Sequence, residues 1–440
     1  MKGTIVAAVG AVSLLAAVAA GGVLERSSND TSTPAGVRAP AAAETPRGAD
    51  ALAVAIGKAQ QRLRQVPGDY PTWAGLGSAY IQQARISADP TYYPRAQAAL
   101  ERSLALNRST NHGAMVGQGA LANSRHDFAG AESWARKALA INAYDASAYA
   151  VLADALTQLG DYPGATAAVQ RALQLKPGVS VFTRASYDLE IHGRPADAAA
   201  ALVRALHDAT TPDDVAFCRY YLGELAFNSG RLDEAGAQYA AGVAVDPGNT
   251  PLLQGQAKLA AARGQTVLAL DLYARLVSRV PLAQYLIEYG DYLTALDRPQ
   301  DAARQYALVR TEQRLLAANG VRDDLTLAQL GADHGDPAGA LRSARAEWAR
   351  RHSVLAADAL AWALHANGRD TEALTYAQQA NRLGWRNATL PYHLGMIEAA
   401  LHRTEDARAH LTLALRTNPY FSPLNVPTAR QALTRLDGVR

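Results

Sequence analysis

The chain has 440 residues, 49% of them hydrophobic, and its 43 basic side chains almost balance 40 acidic ones for a formal charge of +3. That length buries a large apolar area, and so small a net charge gives no field to hold nucleic acid or an anionic membrane surface. A single cysteine, Cys218, excludes an internal disulfide framework and any multi-cysteine metal site, and apolar content carried by Ala and Leu favours helices over sheets.

In chain order, Lys2 precedes an uncharged apolar run from Ile5 to Leu24, which Glu25 and Arg26 close. Residues 1–24 read as an export signal with Ala17-Val18-Ala19 as its cleavage site, or, uncleaved, as a membrane anchor of about 20 residues. Residues 25–50 are Ser, Thr, Pro, Ala and Gly with scattered charges, too poor in large apolar side chains to repay ordering, and read as a flexible tether. The remainder, 51–440, is therefore expected outside the cytoplasm, secreted or anchored by the N-terminal segment. A helix over 51–65 comes first.

Beyond it, Ala96, Ala131, Ala165, Ala198, Ala235, Ala269, Ala302, Ala340, Ala373 and Ala407 recur at intervals of 33 to 38 residues. Twelve residues before nine of them stands another small residue: Gly119, Ala153, Ser186, Gly223, Ala257, Gly290, Ala328, Ala361 and Gly395. Two antiparallel helices approach closely only where a side chain is small or missing, so each pair marks a crossing. Polar turns lie between the paired residues, as at Gly160-Asp161, Gly230-Arg231 and Gly368-Arg369, and Pro177, Pro247, Pro281 and Pro419 stop the second helix of their units. Each unit is helix, turn, helix. Two units depart: the first has seven extra residues within Arg85–Pro94, expected to lengthen its inter-helix loop, and the eighth, Val321–His352, places Glu347 where a small residue belongs.

The spacing of Trp73, Leu76, Gly77 and Tyr80 resembles the W-x2-L-G-x2-Y opening of the tetratricopeptide repeat (TPR) family. The unit carrying Tyr149, Leu152, Ala153, Leu156, Gly160, Ala165, Ala172 and Pro177 follows that family's order throughout. The resemblance implies an all-α, right-handed superhelical solenoid of about ten helix-turn-helix units, closed by a capping helix over Thr428–Leu436. It also implies that the first helix of each unit lines a concave surface where partners bind. Counted in the Trp73 register, the inward positions include Asp154, Tyr187, Glu190, Tyr220, Glu224, Phe227, Asp291, Asp358, Trp362, His365 and Tyr392, with Lys258 and Arg322 as the main basic ones. The expected groove is acidic and aromatic, suited to a protein or extended peptide of basic character. The clamp by which one branch of the family holds a terminal carboxylate with Lys and Asn is absent: the matching places hold Ala74, Ser78, Val116 and Ala120.

Chemistry other than binding finds little footing. There is no H-E-x-x-H and no Cys/His cluster, so no metal or cofactor is expected. Asp406 and His410, one turn apart, read as an exposed polar pair, and Asp333-His334-Gly335-Asp336 as a turn. A repeat protein reading nucleic acid base by base needs basic inner helices, which are missing here. The reading is a non-enzymatic interaction scaffold, with a self-associating structural component of the cell envelope as the alternative.

Overall fold

The computed structural model describes residues 48–438. The export segment 1–24 and all of the tether but its last residues lie outside them; Gly48 already opens the first helix, α1 (Gly48–Gln65). Ten antiparallel pairs follow: α2 (Tyr70–Ser87) with α3 (Tyr92–Leu106), α4 (His112–Ser124) with α5 (Phe128–Ile141), α6 (Ala146–Leu159) with α7 (Tyr162–Leu175), α8 (Val179–Ile191) with α9 (Pro195–Asp208), and α10 (Pro212–Asn228) with α11 (Leu232–Val245). The series continues with α12 (Thr250–Ala262) and α13 (Thr266–Arg279), α14 (Ala283–Ala295) and α15 (Pro299–Ala318), α16 (Asp324–Asp333) and α17 (Pro337–Trp348), α18 (Val354–Ala366) and α19 (Asp370–Ala380), and α20 (Thr389–Ala400) and α21 (Thr404–Thr417). A last helix, α22 (Asn425–Asp437), packs on both members of the final pair and caps the array. No strand occurs among the described residues, and none of their helices is long and apolar enough to cross a membrane.

Local chemistry fixes these boundaries. Asp69, Asn111, Asp127, Asp145, Asp161, Asn249, Asp323 and Asp336 each accept a backbone N–H in the first turn of the helix they precede. The recurring alanines are buried at the crossings, and where the facing residue is glycine the second helix can send in a ring. A Cβ at Gly223 would overlap Tyr239, and one at Gly290 would overlap Tyr306.

Repeat 1 differs from the sequence expectation. The stretch expected to form a long loop, Arg85–Pro94, is mostly helical: Arg85 to Ser87 extend α2 to 18 residues and Tyr92 to Pro94 open α3, leaving a short connection at 88–91. Repeat 8 is not loosely packed either: Glu347 is 1% exposed because it accepts hydrogen bonds from Arg350 and Arg351.

Arg351 also donates to Gln158, 193 residues earlier, and this contact belongs to a continuous seam. The backbone N–H of Arg322 donates to Arg125 O at 3.1 Å, that of His352 to Leu159 O at 3.1 Å, and that of Val354 to the Tyr162 hydroxyl at 2.8 Å. Farther along, Trp385 meets Tyr187 edge to face at 6.2 Å, and Pro419 lies against Gly230. The turns inside repeats 2 to 5 thus rest on the loops that lead into repeats 8, 9 and 10 and into the capping helix. The array winds through one superhelical turn in about 190 residues and packs the second turn on the first. Gly160 shows how closely: at φ +89° it holds a left-handed cap, and a side chain there would strike the His352 carbonyl.

Candidate functional site

The first helices of the repeats carry the polar residues singled out above, and most of these residues bind the equivalent helix of the next repeat. Asp154 on α6 takes two hydrogen bonds from the Arg184 guanidinium on α8, at 2.8 and 2.7 Å. Glu224 on α10 holds the Lys258 ammonium of α12 at 2.5 Å and also accepts from the Tyr239 hydroxyl at 2.6 Å. Tyr220 donates to Gln254 at 2.7 Å, whose amide in turn donates to Glu288 on α14 at 2.7 Å. Asp291 accepts from Tyr306 at 2.9 Å and lies 3.1 Å from His334 Nε2, and Asp358 lies 2.9 Å from His393 Nδ1. Charges on adjacent inner helices are satisfied by partners about one repeat away, which is what desolvation demands of them.

This divides the expected groove into three parts. Glu190, Tyr220, Glu224, Phe227 and Asp291 line a cavity of about 310 Å³. Asp154 and Tyr187 instead border a void of about 30 Å³ next to it, which Glu190 and Glu224 share. Asp358, Trp362, His365 and Tyr392 border neither: Trp362 donates its indole N–H to Asp333 at 2.6 Å and stacks on His393, His365 pairs with Asp370, and Tyr392 is fully buried against Trp362 and Phe421. These four serve packing between repeats 8, 9, 10 and the cap.

Other expectations are revised by the same geometry. Arg322 is exposed in the loop before α16 and not on an inner helix. Asp406 pairs with Arg403, and His410 with Glu398, so the i, i+4 pair does not form. In Asp333-His334-Gly335-Asp336 the last residue caps α17 as a turn residue should, but Asp333 is the buried end of α16 and His334 stacks on Tyr306. With few compensating groups around it, the Asp333 carboxyl is held well above the usual range by burial.

The 310 Å³ cavity has two walls of different origin. One is the inner face of α8, α10, α12 and α14. The other comes from the second turn, through the loops at 385–389 and 418–423 and the start of α22. The second wall contributes Trp385, Arg386, Tyr420 and Phe421; periodicity could not flag these residues, since they stand outside the repeat helices and reach the site through superhelical pitch. Two carboxyls in the first wall are strongly perturbed. Burial raises Glu190 to about 7, against a hydrogen bond from Trp385, and raises Glu288 to about 7, against the field of Lys258 and the Gln254 amide. Among the described residues no group of three His, Cys, Asp or Glu side chains is arranged to hold a metal ion.

Comparison with known proteins gives two matches to tetratricopeptide repeat family models, over residues 146–178 and 186–250. No curated protein matches. Among solved structures, the chain is similar to the Cut9–Hcn1 hetero-tetramer of the APC/C (13% identity, 89% of this chain and 96% of that one, TM-score 0.39). It is also similar to a thermophilic TPR protein of Thermus thermophilus (22% identity, 48% and 98%, TM-score 0.36). A human IFIT1 dimer with PPP-AAAA is similar at 16% identity over 76% of this chain and 79% of that one, TM-score 0.44.

Proposed function

We propose, from the premise that the chain is a tetratricopeptide-repeat protein and hence a scaffold for protein–protein interaction, that it holds a segment of its partner in the cavity between its two superhelical turns. The observation that carries this reading is the cavity itself. In it the inner faces of four successive repeats keep open space, about 310 Å³, at the lower end of ordinary ligand pockets. Its lining mixes ring faces with four carboxylates, Glu190, Glu224, Glu288 and Asp291, against Lys258 and Arg386, which favours a segment of basic character. Because the second turn covers part of the inner surface, an extended peptide or a chain end fits this site better than the face of a folded domain. Export, which rests on Lys2 and the apolar run to Leu24, would place the partner in the cell envelope or outside it.

A photo-crosslinking residue tests the site. Placed at Asn228 or Ala262, which line the cavity, it should capture a specific protein in the producing cells; placed at Val267 or Leu268, exposed on α13, it should not. Capture from α13 alone, or none from the cavity positions, would rule the reading out.

A further inference from the structure

We propose that the cavity receives an alkylammonium group, seated against the carboxylate of Glu190 or of Glu288 and the surrounding ring faces; the inference rests on the reading of this cavity as the partner site. The wall already contains one example of the chemistry. The Lys258 ammonium sits 2.5 Å from a Glu224 oxygen and 4.8 Å over the centre of the Phe227 ring, so a carboxylate and an aromatic face together hold a primary amine at this surface.

Glu190 and Glu288 line the same space on either side of that trio, on α8 and α14. Their hydrogen-bond donors are neutral, the Trp385 indole for Glu190 and the Gln254 amide for Glu288. A neutral donor offsets only part of the cost of holding a carboxylate out of water, and the surplus of four carboxylates over two cations in the lining remains. A cation removes that deficit. An anionic guest would add to the repulsion, and a purely apolar one would strip water from the carboxylates without replacing it. The rings of Tyr220, Trp385 and Phe421 supply apolar contact for the methylene chain and negative faces for the charge. Two sources share this chemistry: a lysine side chain of the partner, or a small free amine.

The test uses the full chain with three probes: Nα-acetyl-lysine N-methylamide, the same compound acetylated on Nζ, and n-butylamine. Trp385 lines the cavity and makes tryptophan fluorescence a reporter, with calorimetry as the second readout. Saturable binding of the lysine probe at pH 8 is expected, with no binding of the Nζ-acetylated form. At pH 6 the affinity should fall severalfold, because both carboxyls titrate at about 7 and take up protons as the pH drops. Glu190→Gln with Glu288→Gln should weaken binding tenfold or more, and each single variant by less; thermal melting confirms that each variant is folded. A lysine probe that binds more tightly than n-butylamine assigns the site to a partner chain, and equal affinities assign it to a free amine. Equal binding of the acetylated form, full affinity in a folded double variant, or no binding of either amine would overturn the inference. Crosslinking from Asn228 separates the two levels: if it persists while the amines fail, the partner reading stands and the ammonium does not.

Discussion

Helices α12 and α18 hold the same place in their repeats and are packed in opposite ways. On α18 every residue from Val354 to Leu364 is buried, so the helix has no outer face at all. On α12 the buried set is a stripe, while Lys258, Ala261 and Ala262 stand at the cavity. An all-round apolar helix signals burial on every side, and here the extra cover is the turn between α6 and α7, whose Tyr162 hydroxyl accepts the Val354 amide. The comparison teaches that an inner position in a wound array is a binding surface only where the next superhelical turn leaves room.

The sharpest way to break that contrast is to make one cut in each region. Trp362→Ala removes a ring 2% exposed and should cost about 3–5 kcal/mol. Phe227→Ala, 6% exposed but open to the cavity on one side, should cost less. Urea denaturation of both measures this, and equal losses would erase the distinction. Comparable in size is Asp154→Ala, which removes the carboxylate from a buried ion pair with Arg184 and should cost about 3–5 kcal/mol. If it costs under about 1 kcal/mol, as an exposed pair would, Asp154 belongs to an open groove after all.

The cavity wall should also show a pH signature. Glu190 is an acid whose folded value is raised to about 7 from an ordinary 4.5. The folded state therefore holds its proton more tightly, and this contribution to stability is full below pH 4.5 and is lost as pH rises through 7. Glu190→Gln should abolish that slope, leaving the variant more stable than the natural chain at pH 8 by on the order of 2–3 kcal/mol and little different at pH 4. Denaturation at the two pH values decides it, and a variant less stable at pH 8 would contradict the assigned burial. The seam offers a further cut: in Gly160→Ala the left-handed cap alone costs about 1–2 kcal/mol, and overlap of the new Cβ with the His352 carbonyl adds to that loss.

Much of this was legible in the residues. The recurring alanines located all ten crossings, and Pro419 marked the end of the last repeat ahead of the cap, because close helix approach and chain termination are local demands. The inner face was half legible. Asp154 and Arg184, Glu224 and Lys258, Gln254 and Glu288, and Asp358 and His393 stand 30 to 35 residues apart, and reading complementary residues one repeat apart would have shown them as partners instead of a free acidic stripe. The seam was not legible at all. Gln158 and Arg351 are joined across 193 residues by a pitch that accumulates from small rotations at each repeat, and no motif encodes such a sum.

Hydrogen exchange at the His352 and Val354 amides tests the closure most directly, because both donate across the seam, to Leu159 O and to the Tyr162 hydroxyl. The account predicts that both are protected far beyond the level of a loop and a first helical turn, and that Tyr162→Phe releases Val354 while His352 stays protected. Rapid exchange at both amides in the natural chain would mean that the two turns do not touch and that the cavity lacks its second wall.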